Sequence, residues 1–397
     1  VDGSAIMIRS RPKREAQPVL RVLYVDHTGA AGGAELALRR MLDADLPWRA
    51  TLALPTGIDA GVFGERVGVR LGPPQNATGA TSGVRRGRFR AAFYILAGML
   101  RFACSPKVRS FDIVHANTLR AAVLCCLVPM FRGPKLVLHV RDRLSPSEVG
   151  WVPAWTALLI IRSAASAIIT NSNETLKVLP RWAVHRIPAE VVYSDPGVPM
   201  AYSSSSSTEN SSVRLVHVAR LAEWKGQHLV VDAVAALRSR GHPVECVFAG
   251  AALFGDASYE SSVRRRVADL GVGDYIQFLG HVDDVAAVID SADVCIHAST
   301  KPEPLGQNLM QYMLRGKAIV AAEGGGASEL LADQQSALLF EAGSADDLAD
   351  KIERLSSDPR LRNAIAQNAL RESSRFDQAE SLGRMARLYD SIRGVTK

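Results

Sequence analysis

Residues 299–316, STKPEPLGQNLMQYMLRG, place one glutamate between two prolines, directly before a short helical pattern. Proline lacks a backbone N–H and fits only the first turn of a helix, so the pattern predicts a helix that begins near Gly306. The N–H groups of Leu305 and Gly306 would then lie at the positive end of the helix dipole, which favours a phosphate group. The stretch therefore predicts an anion-binding helix terminus.

Glu303 lies beside that terminus, and Gln311 follows eight residues later. A carboxylate would repel a bound phosphate, so we expect Glu303 to accept hydrogen bonds from hydroxyl groups next to the phosphate. Gln311 lies well inside the helix and could reach a second hydroxylated group. A capping acid and an ordinary surface amide are the alternative interpretation of the two residues.

Short apolar runs alternate with helical patterns on both sides of this stretch, as in the helix predicted over 34–42. This alternation is typical of βαβ units and parallel sheets. The predicted strands are 19–27, 111–116, 135–140, 166–172, 189–194, 213–219, 244–250, 275–280, 293–299 and 317–322. The fold class is therefore α/β.

The chain has 397 residues, more than a single core usually holds, and a serine-rich run interrupts it at 202–212. Two α/β domains joined by a linker would form a cleft, and parallel sheets bind ligands at the carboxyl ends of their strands. The predicted division is a disordered extension or tag at 1–18, a domain at 19–200, a linker at 201–212, a domain at 213–375 and a helix at 376–397 that crosses back to the first domain.

Two loops that follow predicted first strands could meet at this cleft. HTGAAGGAE (27–35) has glycines that allow a close backbone approach, although a tight strand–helix turn is an equal alternative. ARLAEWKGQ (219–227) places Arg220 and Lys225 five residues apart, which suits a diphosphate. For this second loop the alternative is an ordinary solvated turn.

The charge distribution and the cysteine content indicate the compartment in which the protein is expected. The net charge is +7, and it is uneven: residues 1–200 carry 26 basic against 14 acidic side chains, and residues 201–397 carry 21 against 26. The five cysteines lack metal-ligand spacing, and the first 20 residues lack the apolar core of a secretion signal, so we expect a cytoplasmic protein. The apolar run 151–170 predicts a buried helix followed by a strand, with a membrane span as the alternative.

Taken together, the motifs resemble those of the family 4 glycosyltransferases, which are retaining enzymes with the GT-B fold of two Rossmann-like domains facing across a cleft. The resemblance covers about 20–390. It rests on the order of GGAE (32–35), DIVHA (112–116), TNSNETLK (170–177), ARLAEWKG (219–226), FLGHVDDV (278–285), SADVCIHAS (291–299), EPLGQNLMQYMLRGKAIVAAEGGGASELL (303–331) and SALLFEAGSADDLADKI (336–352). It implies that domain 19–200 binds the acceptor and that domain 213–375 binds a nucleotide-diphosphate sugar.

The resemblance also implies a set of donor-binding residues. Arg220 and Lys225 would hold the donor diphosphate and, with Glu303 on the sugar hydroxyls, form the catalytic group. The further donor contacts would be Gly32, Gly33, Val282, Leu305, Gly306 and Gln311. These basic groups and the helix amides would replace a cation, so neither a metal nor another cofactor is expected.

Three positions depart from the family pattern. Gln311 replaces the second glutamate of E-x7-E, which usually grips the ribose, and a restored glutamate is expected to tighten donor binding if ribose recognition is its role. Asn117 replaces the second histidine of an H-x-H pattern that His115 begins. SDPGVP (194–199) replaces the usual turn near the interdomain linker.

The acceptor side is predicted from position. His139, Arg141 and Asp142 follow a strand of the first domain and, with His115 and Asn117, would line the acceptor side; a core histidine with a surface Arg–Asp pair is the alternative. Residues 83–109 carry seven basic and no acidic side chains among apolar ones, which suits an anionic membrane surface and a lipid-linked acceptor. A buried helix with an exposed arginine face is the alternative, and nucleic acid is not an expected partner.

The function predicted from these features is a retaining, metal-independent transfer of a sugar to a hydroxyl acceptor, in glycolipid, polysaccharide or natural-product synthesis. Peripheral membrane association would follow from 83–109. A degenerate GT-B protein that binds nucleotide-sugar or a partner without transfer is the main alternative, supported by Gln311 and Asn117. A GT-B sugar epimerase is a third possibility, against which the pairing of the 219–226 loop with EPLG argues.

Overall fold

Two parallel sheets organise the chain in the computed structural model, which describes residues 19–70, 96–201, 212–252 and 256–393. The first sheet has the strand order β3-β2-β1-β4-β5-β6-β7 and the second has the order β10-β9-β8-β11-β12-β13. The first sheet comprises β1 (Arg21–Val25), β2 (Arg49–Leu54), β3 (Val67–Arg70), β4 (Ile113–Ala116), β5 (Lys135–Val140), β6 (Ala167–Thr170) and β7 (Ala189–Val191). The second comprises β8 (Val213–Val218), β9 (Val244–Ala249), β10 (Ile276–Gly280), β11 (Val294–His297), β12 (Ala318–Ala322) and β13 (Leu338–Phe340).

Helices connect the strands and cover the faces of both sheets. With the first sheet lie α1 (Gly33–Asp43), α2 (described over 96–104), α3 (Pro106–Arg109), α4 (Leu119–Cys125), α5 (Pro146–Val149), α6 (Trp151–Ser163), α7 (Asn173–Val178) and α8 (Arg181–Val184). The second half contains α9 (Gln227–Ser239), α10 (Ala257–Asp269), α11 (Val285–Asp290), α12 (Gln307–Leu314), α13 (Gly326–Leu330), α14 (Ala345–Ser357), α15 (Pro359–Glu372) and α16 (Gln378–Arg393). This is the two-domain α/β architecture that the alternation predicted.

The central strands read as continuous apolar runs because helices bury them on both faces. β4 and β6 are buried at every position, and each predicted strand is present within a few residues of its expected limits. Three strands were not predicted: β2, β3 and β13. All three lie at or next to a sheet edge, and β3 and β13 are also short. The exposed side chains of Arg49 and Arg70 weaken the apolar signal of β2 and β3.

The run 151–170 forms α6 and then β6, so the prediction of a helix followed by a strand is confirmed. No helix in the described parts of the chain combines the length and the apolar content needed to cross a bilayer. One face of α6 is exposed, however, in contrast to the expectation of a buried helix.

The last helix, α16, packs on the first sheet. Five of its side chains join a buried cluster with residues of β1, β2 and β6: Leu382, Met385, Leu388, Tyr389 and Ile392. The domain limits drawn from the sequence stay predictions. The extension 1–18, most of the linker (202–211) and the arginine-rich start of the predicted membrane segment (83–95) lie outside the described residues.

Candidate active site

A cavity of about 280 Å³ lies between the two domains. The first domain contributes residues from α1, α4, α6 and the segments after β4, β5, β6 and β7, and the second contributes the segment 303–307. The lining residues are Gly33, Ala34, Thr118, Leu119, Ala122, Leu138, His139, Val140, Arg141, Asp142, Leu144, Ala157, Asn171, Ser194, Glu303, Pro304, Leu305, Gly306 and Gln307. The cavity therefore lies where carboxyl ends of parallel strands face across a cleft.

Glu303 is buried on the second-domain side of this cavity and is held by three groups. The Lys225 Nζ donates to its Oε1 at 2.5 Å, the Ser299 hydroxyl donates to the same oxygen, and the His297 Nε2 lies 3.6 Å away. His297 ends β11 and Ser299 follows it, so the strand end positions the carboxylate. An ion pair in such surroundings is stronger than one in water.

The charge state of Glu303 follows from these contacts. Burial alone raises the pKa of a carboxyl group, but the Lys225 ammonium, His297 and the two hydrogen bonds outweigh it and lower the pKa of Glu303 to about 2. Burial lowers the pKa of His297, which the neighbouring Glu303 only partly offsets. Glu303 is thus anionic at neutral pH, which suits an acceptor of hydrogen bonds and excludes a proton donor.

Arg220 and Lys225 lie on the loop between β8 and α9, as predicted. The Lys225 Nζ also lies 4.2 Å from the centroid of the Trp224 ring, and an Arg220 guanidinium nitrogen lies 3.9 Å from a carboxylate oxygen of Asp256. The Gln227 side chain donates to the Arg220 backbone carbonyl at 2.9 Å and fixes the loop. Both side chains are partly buried and remain within reach of solvent.

The start of α12 matches the sequence interpretation. The helix begins at Gln307, and Gly306 precedes it with φ 80° and ψ 68°, the left-handed region that favours glycine. A side chain on Gly306 would also come within 2.9 Å of Leu309. Leu305 and Gly306 line the cavity, so the expected anion-binding terminus opens onto it.

The glycines of the first domain lie opposite. Gly32 precedes α1, and a side chain at that position would overlap the carboxylate of Glu35. Gly33 lines the cavity, and a Cβ there would lie 3.8 Å from the Gln307 side-chain oxygen of the second domain. Gly32 thus leaves room for the Glu35 carboxylate, and Gly33 faces the second domain across the cavity.

Gln311 contacts the segment that follows β7 of the first domain. Its side-chain Nε2 donates to the Pro196 carbonyl at 2.8 Å, and the Gln307 Nε2 approaches the same carbonyl at 3.4 Å. Pro196 belongs to the segment between β7 and the serine-rich run. A glutamate at 311 has no hydrogen to donate, so this contact explains why an amide suits the position.

The acceptor-side residues divide into two groups. His139, Arg141 and Asp142 line the cavity, as expected from their place after β5. His115 and Asn117 are buried and are not among the lining residues of the described chain, so their place on the acceptor side stays a prediction. Asn117 donates to Asp26 at 2.6 Å and accepts from Arg141 at 2.8 Å. It therefore positions the side chain of Arg141, which lines the cavity.

His115 and His139 belong to a buried relay that begins on α16. The Tyr24 and Tyr389 hydroxyls are 3.2 Å apart, Tyr389 lies 2.6 Å from His115 Nδ1, and His115 Nε2 lies 3.2 Å from His139 Nδ1. Arg141 also approaches His139 Nδ1 at 3.4 Å. Because arginine can only donate, His139 Nδ1 is assigned as the acceptor and its Nε2 carries the hydrogen.

Burial and the nearby Arg141 keep this relay neutral. They lower the pKa of His115 to about 3, and they lower that of His139 as well, with a further contribution from His115. The His139 Nε2 is buried and has no hydrogen-bond partner among the described residues. A lining histidine thus presents an N–H without a protein acceptor.

Two contacts across the domains were missed in the sequence. The Ser172 hydroxyl donates to the Pro304 carbonyl, next to Glu303. Glu329 on α13 accepts from the Asn173 backbone and side chain, from the Glu174 backbone at 2.8 Å and from the Tyr193 hydroxyl at 2.8 Å. Both motifs were quoted above, but a one-dimensional pattern does not show that they meet.

Val282 and the cluster of Asp26, His27 and Glu35 are not among the cavity-lining residues of the described chain. Val282 lies in the loop after β10 and is half-buried, outside the cavity lining of the described residues. Asp26, His27 and Glu35 bring their polar atoms within 4.8 Å of one another. Asp26 is already engaged by Asn117 and His27, and burial together with Asp26 raises the pKa of Glu35.

The fold is the GT-B architecture: two Rossmann-like domains with parallel sheets and a cavity between them. Residues 203–372 match the family described as "Glycosyl transferases group 1". This match lies in the carboxyl-terminal half of the chain, and it agrees with the class of protein that the motifs predicted.

Two curated relatives are similar over part of the chain. The putative glycosyltransferase EpsD of Bacillus subtilis is 27% identical over 177 residues, which cover 45% of each chain. The phosphatidyl-myo-inositol mannosyltransferase of Mycolicibacterium smegmatis is 26% identical over 54% of this chain and 55% of its own. The chain thus spans about half the length of these relatives.

A solved structure is similar over almost the full length. Anabaena HepE, crystallised in complex with UDP and glucose, superposes with a TM-score of 0.78 at 27% identity. The superposition covers 94% of this chain and all of that one. It extends the agreement in fold to both domains.

Proposed function

We propose that this protein transfers a sugar from a nucleotide-diphosphate sugar to a hydroxyl acceptor. The observation that carries the proposal is the placement of the Lys225–Glu303 pair beside the start of α12, at the interdomain cavity. The pair offers a cation and an anionic acceptor next to the N–H groups at the start of the helix. That combination suits a diphosphate with a hydroxylated sugar attached to it.

UDP is the nucleotide we expect, because HepE was crystallised with UDP and glucose. Lys225 would stabilise the charge that develops on the departing diphosphate, together with Arg220 and the amides of Leu305 and Gly306. Glu303 would accept from sugar hydroxyls and hold the Lys225 ammonium in place. Val282 would contact the base through its backbone, and Gly32 and Gly33 would let the first domain approach the donor.

We infer that the acceptor binds on the side of His139, Arg141 and Asp142. The His139 Nε2–H has no protein acceptor in the described chain and is placed to donate to the sugar acceptor. Leu119, Ala122, Leu144 and Ala157 give the cavity an apolar wall on the same side. A lipid-linked acceptor fits that wall, as does the phospholipid named for the mannosyltransferase relative.

We further propose a retaining, metal-independent reaction, with family 4 as the subclass. Glu303, with a pKa of about 2 and bound to Lys225, is unsuited to act as a nucleophile or a proton donor. Asp142 is the other carboxylate of the described lining. A front-face route would leave Asp142 without a covalent role, so Asp142→Asn should yield no change in the stereochemistry of the product.

A panel of nucleotide-sugars tests the function. The donor should raise the unfolding temperature by mass action, and transfer to model acceptors should give a product with the anomeric configuration of the donor, read by NMR. Activity should persist in chelator. Inverted product, or loss of activity restored only by a divalent cation, would contradict the retaining or metal-independent parts separately.

The second candidate is a protein that binds the nucleotide-sugar without transfer. The contact of Gln311 with Pro196 favours it, because that contact occupies the side-chain amide to which the resemblance assigns a donor-binding role. Tight donor binding, with neither turnover nor slow hydrolysis of the donor, would support this candidate. Transfer to any hydroxyl acceptor would exclude it.

A further inference from the structure

Helix α6 has an apolar surface on both its buried and its exposed sides. Ala154, Ala157, Ile160 and Ile161 face the core. On the opposite face Trp151, Val152, Trp155 and Leu159 are 68%, 77%, 59% and 65% exposed. A helix that is apolar all round is normally enclosed by protein or lipid, so this exposed face calls for a partner.

The exposed face continues onto α8 through Trp182. This side chain is 40% exposed, and the Arg162 guanidinium of α6 lies 5.9 Å from its ring centroid. We call Trp151, Val152, Trp155, Leu159 and Trp182 the α6 patch. Three of its five members are tryptophans, the side chain most enriched where proteins meet the membrane–water interface.

The surrounding charge is positive. Residues 148–190 contain four basic side chains, at 162, 177, 181 and 186, against three acidic side chains, at 148, 174 and 190. Glu174 accepts from Lys177 at 2.7 Å and Glu148 pairs with Arg143 at 3.1 Å, so these two carboxylates are neutralised locally. Arg162, Arg181 and Arg186 are exposed. Tryptophans bordered by arginines match an interface with an anionic lipid surface better than a neutral protein surface.

We propose that the α6 patch docks this protein on an anionic phospholipid bilayer. The 13 residues of α6 span about 20 Å, short of the roughly 30 Å hydrocarbon core, so the helix would lie in the plane of the interface. The docking surface is distinct from residues 83–109. It does not depend on the proposed transfer, although Ala157 on the inner face of α6 lines the cavity and would bring a lipid-borne acceptor close to it.

The test uses the full chain and vesicles of phosphatidylcholine with or without phosphatidylglycerol. We expect flotation with anionic vesicles at low salt and weaker binding at high salt. Brominated lipids should quench tryptophan emission, since three of the five tryptophans belong to the patch and Trp48 is buried in the core. The double variant W151S/W155S should bind anionic vesicles at least about tenfold more weakly than the unaltered protein. The double variant R162Q/R181Q should lose about tenfold in affinity as well.

Leu270→Ser is the matched control, because Leu270 is 45% exposed and lies at the end of α10 in the other domain. It should bind vesicles like the unaltered protein, and all variants should keep its unfolding temperature. The proposal is overturned if vesicles do not bind, or if binding persists in W151S/W155S, which would assign it to another segment. It is equally overturned if sedimentation shows a dimer that W151S/W155S abolishes while vesicles remain unbound.

Discussion

The two sides of the cavity are built by different physical means. On the second-domain side, Lys225 and Glu303 are charged, and both come from loops or strand ends within one local motif each. On the first-domain side, His115 and His139 are neutral and buried, and their orientation depends on Tyr389, 274 residues away from His115. The residues of a charged site can therefore be identified from short sequence motifs. The orientation of the neutral histidines depends on contacts that form only in the folded core.

The largest expected effect concerns the charged side. Lys225→Ala should lower transfer by at least about a hundredfold, because it removes a cation from the developing diphosphate charge. Lys225→Arg should retain part of the activity, since it keeps the charge. Steady-state kinetics measure both.

Lys351→Ala is the control for this prediction, because Lys351 pairs with Asp347 on α14 of the same domain. It should leave turnover unchanged. A Lys225→Ala protein with full turnover would remove Lys225 from the proposed mechanism.

The neutral relay predicts acid sensitivity. His115 has a pKa of about 3 in the folded protein and about 6.5 in the unfolded chain. Between these pH values the unfolded chain binds a proton at this histidine and the folded protein does not. The relay's contribution to stability is complete above pH 6.5 and is lost as the pH falls toward 3. The pKa of Glu303 is also lowered, but its contribution is lost only below about pH 4.5.

Thermal unfolding between pH 8 and pH 4.5 separates the two groups. The unfolding temperature should fall from pH 6.5 downward, and His115→Gln should make that fall shallower. An unfolding temperature that stays level from pH 7 to pH 5 would contradict a neutral buried relay.

The contacts between the domains predict a smaller effect. Glu329→Ala removes the acceptor for Asn173, Glu174 and Tyr193, and should cost about 2 kcal/mol, since hydrogen bonds to charged groups contribute strongly. Chemical denaturation would measure the loss. Glu341→Ala, at an exposed position of the same domain, is the control and should change the free energy of unfolding little. Equal losses in the two variants would show that the interdomain hydrogen bonds of Glu329 add no stability of their own.

The smallest effect is expected at Gln311. Gln311→Glu replaces an N–H donor to Pro196 by a carboxylate and should cost about 1 kcal/mol of stability. Because the amide is engaged with that carbonyl, we expect no gain in donor affinity. Tighter UDP binding by the glutamate variant, measured by calorimetry, would restore the ribose-binding role that the family pattern implies.

The sequence predicted the parts that local chemistry determines. The prolines around Glu303 and the glycine at 306 gave the start of α12, and the apolar runs gave most strands of both sheets. Strands β2 and β3 were not predicted because exposed arginines lie at their ends, and β3 is also short. The class of protein followed from the order of several motifs, none of which was sufficient alone.

Contacts between segments that are far apart along the chain could not be predicted from the sequence. The partner of Gln311 is a carbonyl 115 residues earlier, and Glu329 binds groups more than 130 residues away. His115 and Asn117 were expected at the acceptor side, and they are buried because Tyr389 and Asp26 pack against them. Such placements depend on how two domains and a returning helix meet.

Calorimetric titration with UDP tests the central claim, the division of labour across the cavity, most directly. Lys225→Ala should weaken UDP binding by about tenfold or more, since charge-assisted contacts to phosphate are strong. His139→Gln should keep UDP affinity within about twofold while transfer falls. Unchanged UDP affinity in Lys225→Ala, together with lost affinity in His139→Gln, would contradict the account.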